Sequence, residues 1–318
     1  MLCCHYSLFR RLLQGKRGKA HGGKKAIARW EAICYNRIRK AGARAPEIRA
    51  DAELSRDMIK TVVFDLDNTL YAYAPAHEAG FRAVTAYGEA VLGITPERFA
   101  LLHQKAERLL RRSAGKEAAA IHSRLIRYQL LLEGLKLPIY HAPQMAACYW
   151  ESFFAAVVPE PGTREALEKL REMGLRIGVG TNMTAEQQYE KLWRLGLLEL
   201  VDFLVTSEEV GAEKPDGRLF RRCAEKAHCS AEDCLFVGDD LERDIGGALA
   251  AGMGAVYLRR EEGVISLPPF IPQIHRIAEL PGQMSLGIRQ GAVLKPPFEG
   301  GNEEDADADL AAFLLTDL

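Results

Sequence analysis

No run of about 18 apolar residues occurs in the chain, which excludes a helix that crosses a bilayer. The seven cysteines are Cys3, Cys4, Cys34, Cys148, Cys223, Cys229 and Cys234; none forms a C-x-x-C pair and their number is odd. Neither a disulfide framework nor a zinc site follows from that pattern. The N-terminus does not read as a secretory signal, because Arg10, Arg11 and Lys16 interrupt its apolar stretches. The expected setting is a cytoplasmic, reducing one. A charge excess of one sign is also absent, since the net charge is −1, but unlike parts cancel to give it. Residues 1–49 hold 13 Lys and Arg against 2 Asp and Glu, a balance of +11, and the remainder stands at −12. The acidic body does not look like a nucleic-acid binder. What the chain does have is 318 residues, 48% of them apolar. That is ample for a sizeable core, and the length suggests about two domains.

Residues 1–57 read as a basic N-terminal extension, with Gly15, Gly18, Gly22 and Gly23 among its lysines and a stretch around Ala26–Ala41 that could be helical. The character changes abruptly at Met58, which marks either the true start of the chain or the end of a flexible arm. The near-continuous run that follows, through Thr61–Phe64, suits a strand buried on both faces. From Ala74 to Val158 the apolar spacing becomes helical. Phe81, Val84, Tyr87, Val91 and Leu92 form one series, and Phe99, Leu102, Ala106 and Leu109 a second. Ile121, Leu125, Tyr128, Leu131 and Leu132 form a third, and Met145–Val158 a fourth, more uniformly apolar segment.

From Pro159 onward helices and strands alternate. Helices are expected at Thr163–Met173, Ala185–Leu195, Pro215–His228 and Leu241–Ala251. Strands are expected at Leu175–Gly180, Phe203–Val205, Leu235–Val237 and Ala255–Leu258. Alternation of this kind implies βαβ units and a parallel sheet. The fold class is therefore α/β, a Rossmann-like parallel sheet with an inserted all-helical block. Residues 58–73 and 159–260 would form the core, 74–158 the insertion, and 261–318 a C-terminal extension. In that extension Ile274–Leu280 reads as one short helix, and the acidic stretch from Glu299 as a solvated tail.

Four polar clusters follow the expected strands, and ligands of open parallel sheets bind at the carboxyl ends of strands. The first is Asp65-Leu-Asp67-Asn-Thr69-Leu-Tyr71, where two carboxylates two residues apart can supply a nucleophile and an acid/base. Asp and Asn also populate ordinary strand-ending turns. The second is Gly180-Thr181-Asn182, able to donate hydrogen bonds to phosphoryl oxygens or simply to cap a helix. Lys214, fixed by Pro215, could neutralise charge in phosphoryl transfer or be a solvated surface lysine. The fourth, Gly238-Asp239-Asp240 with Asp244, suits a hard cation such as Mg²⁺, or an acidic helix start.

In order and placement these clusters resemble the haloacid dehalogenase-like hydrolase superfamily, in its phosphatase branch with a helical cap of the first type. The resemblance covers about residues 59–260, and Ser207 to Asp216 is similar to nucleotide and small phosphomonoester phosphatases. It implies a Mg²⁺-dependent phosphomonoester hydrolase acting on a nucleotide or sugar phosphate. Asp65 would attack phosphorus to form an aspartyl-phosphate. Asp67 would protonate the leaving alkoxide and then activate water. Thr181, Asn182 and Lys214 would hold the transferring group. The metal would bind Asp65, the backbone carbonyl of Asp67, and Asp239, with Thr69 and Asp244 steadying that shell from behind.

Dehalogenase members of the superfamily lack the second acid, so Asp67 favours a phosphatase. A phosphomutase shares the Asp-x-Asp pair. A binding protein that uses the basic N-terminus on nucleic acid is the reading from another class. The expected partner is a small phosphorylated substrate and not a membrane, with the oligomeric state left open. Arg82, Arg124, Tyr128 and His77 lie in the cap and could contact a leaving group, or be ordinary solvated or packed helix residues. Two further expectations follow: the helical block closes as a lid, and residues 1–57 are dispensable for catalysis.

Overall fold

The computed structural model describes residues 59–115, 119–260 and 271–285. The expectations for residues 1–57, for Met58 and for the acidic tail lie outside those residues. Among the described residues no helix is long and apolar enough to cross a membrane.

Six strands form one parallel sheet in the order β3-β2-β1-β4-β5-β6. Strand β1 is Thr61–Phe64, four buried residues rich in β-branching that can bury both faces at the centre of the sheet. The chain then leaves the sheet for four helices: α1 Tyr73–Leu92, α2 Pro96–Ala114, α3 Arg124–Leu135 and α4 His141–Ala155. A 3₁₀ turn at Ala119–His122 precedes α3. After α5, Thr163–Glu172, the chain returns as β2, Arg176–Thr181, beside β1. There follow α6 Ala185–Arg194, β3 Phe203–Thr206, the single turn α7 Ser207–Val210, and α8 Gly217–Ala227. On the other side of β1 lie β4 Cys234–Gly238 and β5 Gly254–Leu258, separated by a short helix α9 Gly247–Ala250.

Three expectations need correcting. The segment Ile274–Leu280 is not one helix. Gln273–Ile274 extends the sheet as β6, because Tyr257 N donates to Pro272 O (3.0 Å) and Arg259 N to Ile274 O (2.8 Å). The helix there, α10, comes later, at Leu280–Ser285. The helix expected from Leu241 opens as a π-helical turn, Leu241–Gly246, with Ile245 N reaching back to Asp240 O (3.2 Å). Asp240 widens this turn by accepting from the amides of both Glu242 and Arg243. Finally, Val91, Leu109 and Leu125 face solvent and are not core residues.

The reason for the last correction lies in the helix period. In α2 the buried stripe steps by four from Ala106 to Leu110 and bypasses Leu109. In α1 it runs through Ala76, Gly80, Val84 and Gly88, small residues that let another helix approach closely. A Cβ on Gly80 would lie 2.7 Å from the carbonyl oxygen of Tyr149 on α4, so only glycine permits that approach. Tyr128, Tyr149, Phe99 and Phe153 fill the space between the four helices and are fully buried.

The two connections between sheet and helical insertion run side by side. Tyr71 and Pro159 form an antiparallel bridge, and Glu160 N donates to Leu70 O (3.0 Å). Arg260, just past β5, ties both together. Its guanidinium donates to the carbonyls of Asn68 and Thr69 on one connection and pairs with Glu160 on the other (2.6 Å).

Candidate active site

Because the strands are parallel, the residues just past β1, β2 and β4 emerge on one edge. Asp65 and Asp239 occupy such positions and Thr181 ends β2 beside them, and all three line one cavity of about 260 Å³. Asp65 N continues the ladder by donating to Val237 O (2.9 Å), which fixes the direction of its side chain. Lys214 reaches in from the loop before α8. Its Nζ lies 2.6 Å from Asp65 Oδ1, 2.7 Å from Asp244 Oδ1 and 3.2 Å from Gly180 O. Asn182 is less directly engaged than expected, since its side-chain oxygen accepts from Lys214 N (2.8 Å) and so steadies the lysine loop. Thr181 Oγ1 accepts from Gln188 (2.7 Å). Thr69 is buried beneath the loop, away from the cavity lining.

Burial pushes the Asp65 carboxyl up to about 7, against the pull of Lys214, with Asp244 and Asp239 adding to the rise. Burial likewise pushes Asp239 up to about 6, with Asp244 and Asp240 contributing. For Lys214 the two acids outweigh burial and hold the ammonium above its usual range. Oxygens from Asp65, Asp239 and Asp244 all lie within 4.8 Å of one another, and one lysine pairs with two of them, Asp65 and Asp244. An all-oxygen donor set with uncompensated negative charge fits a small hard cation. The close approach of Asp244 depends on Gly238, where a Cβ would lie 2.3 Å from Asp244 Oδ2.

Asp67 is held by residues that sequence reasoning passed over. Lys191 Nζ contacts both its oxygens (2.6 and 3.0 Å), Gln188 donates to it (3.2 Å), and the Tyr71 hydroxyl donates to it as well. Burial alone would raise this carboxyl, but Lys191 first, then Tyr71 and Gln188, hold it below the usual carboxylate range. Of the four cap residues singled out, Arg124 lines the cavity. Arg82 is exposed beside Glu78, Tyr128 is core, and His77 Nδ1 bonds the Tyr149 hydroxyl (2.7 Å). Tyr73 and His122 complete the helical side, and His122 Nε2 donates to Glu213 Oε1 (2.5 Å) next to Lys214.

Residues 59–252 match the family described as haloacid dehalogenase-like hydrolase. The chain is 37% identical to the ribulose-1,5-bisphosphate 5-phosphatase of Halopiger xanaduensis over 64% of this chain and 87% of that one. It is 36% identical to the glyceraldehyde 3-phosphate phosphatase of Methanopyrus kandleri over 64% and 85% respectively. Among solved structures, a 2-haloacid dehalogenase from Pseudomonas syringae superposes with a TM-score of 0.61 at 29% identity, covering 72% of this chain and 99% of the other. The chain belongs to the haloacid dehalogenase-like hydrolase family. Within that family it is a phosphatase.

Proposed function

We propose that the protein hydrolyses small phosphorylated sugars through an aspartyl-phosphate on Asp65, with Mg²⁺ at Asp65, Asp239 and the Asp67 carbonyl. The observation that carries this reading is the placement of Asp65, buried at the end of β1 with Lys214 at 2.6 Å and two further acids around it. The names of the relatives favour sugar phosphates over nucleotides.

In this reading Asp65 attacks phosphorus, and the bond to the ester oxygen breaks. Lys214 offsets the negative charge gathered on the transferring group, and Thr181 and Asn182 bind its oxygens. Asp67 gives a proton to the departing alkoxide. It then takes one from the water that opens the acyl-phosphate and frees Asp65. Its pairing with Lys191 suits the second, basic half. Arrival of a phosphate dianion adds negative charge beside Asp67 and raises it toward the protonated form needed for the first half. A bound Mg²⁺ would neutralise carboxylate and phosphoryl charge, so that an anionic nucleophile can approach an anionic ester. Asp244, tied to Lys214 and to Asp240 N (3.0 Å), would steady both.

A dehalogenase reading takes its support from the Pseudomonas structure. It leaves Asp67 and its three hydrogen-bonding partners without a task. Phosphate release from p-nitrophenyl phosphate and from sugar phosphates, with Mg²⁺ and with excess EDTA, tests the proposal. The expected result is turnover with Mg²⁺, little with EDTA, and none with Asp65→Asn. Undiminished turnover in EDTA or by Asp65→Asn overturns it. Phosphate passed to a second hydroxyl without release would mark a mutase.

A further inference from the structure

We propose that Arg124 is a subsite for a second anionic group, a carboxylate or a second phosphate, so that the preferred substrates are phosphomonoesters carrying two anions. This rests on the phosphatase reading above and adds a substrate class to it.

The argument begins with charge around the cavity. Lys214 is paired with Asp65 and Asp244, Lys191 with Asp67, Arg243 with Asp240, and His122 with Glu213. Arg124, the first residue of α3, is 6% exposed, and among the described residues no carboxylate lies within 4.0 Å of its guanidinium. Its partners are neutral: the carbonyl of His122 (3.1 Å), the hydroxyls of Tyr73 (2.9 Å) and Tyr149 (3.2 Å), and the rings of Tyr149 and Trp150. Burial raises the Tyr73 phenol, so it supplies no counter-charge. Burial, then Arg124 itself, lowers His77. The charged neighbours on α3 and α6, Arg127 and Lys191, are cations that Arg124 repels.

Burying an unpaired cation is costly, and a fold gains nothing from it unless something completes the pair. Arg127, one turn along the same helix, shows the structural alternative. It is equally buried, but Glu107 approaches it at 3.5 Å. Arg124 has no such partner, and it alone of the two lines the cavity. Three of its five N–H donors have acceptors, and two, one on Nη1 and the buried one on Nε, have none. The guanidinium, always charged and weakly hydrated, suits a carboxylate or phosphate. Asp65 lies at the sheet side of the same cavity, so a phosphoryl group bound there would direct the remainder of a small molecule toward the helical side.

Two matched pairs of esters test this: 3-phosphoglycerate against glycerol 3-phosphate, and ribulose 1,5-bisphosphate against ribulose 5-phosphate. The first pair isolates a carboxylate and the second a phosphate. The wild-type protein should favour the doubly anionic member of at least one pair by about thirtyfold or more in kcat/KM. Arg124→Gln should collapse that ratio to below about threefold, and Arg124→Lys should leave an intermediate value. Calorimetric binding of the same pairs to Asp65→Asn with Mg²⁺ reads the preference without turnover. A flat ratio in both pairs, or a folded Arg124→Gln protein with an unchanged ratio, overturns the subsite. If Arg124→Gln fails to fold, the wild-type ratios and the lysine variant decide. Failure to hydrolyse any ester would sink the phosphatase reading, and the binding ratios would still decide the subsite.

Discussion

Lys191 and Asp67 form an ion pair between helix α6 and the loop that follows β1, with the ammonium fully buried and bonded to both carboxylate oxygens. Three rings surround it. Tyr71, Tyr73 and Phe153 have their centroids 5.9, 5.8 and 5.5 Å from Nζ. Removing one partner of such a pair leaves the other charge buried alone. Lys191→Met should therefore lower stability by about 3 kcal/mol. Pairing it with Asp67→Asn should restore part of that loss. Urea unfolding of the two single variants and the double one gives the coupling energy, and strict additivity would deny the pair any role. Turnover by Lys191→Met should fall about tenfold or more, since a misplaced acid/base forfeits part of what proton transfer contributes.

The crowded acids make a second expectation. A cation that binds Asp65 and Asp239 in the folded state alone should raise Tm, by the equivalent of about 2.7 kcal/mol at a hundred times its Kd. Gly238→Ala drives a methyl group against Asp244 and should weaken Mg²⁺ about 10–100-fold. Thermal unfolding against Mg²⁺ concentration reads both effects. A Tm indifferent to Mg²⁺ in the wild-type protein contradicts the first.

His103 gives a pH dependence of stability. It sits among Phe81, Phe99 and Tyr128, where burial, then Arg127 and Arg124, pull it down to about 3. The unfolded chain, with its imidazole near the usual value of about 6.5, binds a proton at pH 5 that the folded chain does not. Stability from this group is complete above about pH 6.5 and falls as the pH drops toward 3. At pH 5 the loss is about 2 kcal/mol relative to pH 8. His103→Phe should flatten the profile by that amount. An identical slope in the variant would show that the imidazole is not held neutral.

Arg260 is expected to set the stiffness of the two connections. Arg260→Ala removes its bonds to Asn68, Thr69 and Glu160. If one net hydrogen bond of about 1 kcal/mol is lost there, amides near residues 69–73 and 158–160 should exchange about fivefold faster. Unaltered exchange in those segments, with the fold intact, would contradict the assignment.

Much of the fold was legible because the sheet is buried on both faces. Thr61–Phe64 and Cys234–Gly238 must then be continuously apolar, and the acids that follow stand out against them. Strand β6 was not legible, since two residues carry too little pattern to separate a strand from a helix start. Asp65 and Asp239 stand out because chain position alone puts them on one sheet edge, whereas Lys214, in a loop, is singled out only through the family resemblance. Lys191 and Gln188 do not stand out. Each occupies a polar place on the amphipathic helix Ala185–Arg194, and a lysine there reads as solvated until the insertion is packed over it. The same limit hid the difference between Arg124 and Arg82, two cap arginines of which one is buried beside the site and the other lies in water.

The bridge between Tyr71 and Pro159 has a meaning for how such a protein can change over time. Residues facing each other across an antiparallel bridge sit about 5 Å apart, a gap that a tight turn can span. Everything from Tyr73 to Val158 therefore enters and leaves through one narrow neck, and β1 keeps its register with β2 and β4 whatever hangs beyond it. Changes far out in the insertion then leave that register alone. The sheet edge that carries Asp65, Lys214 and Asp239 is thereby insulated from what varies in the helices.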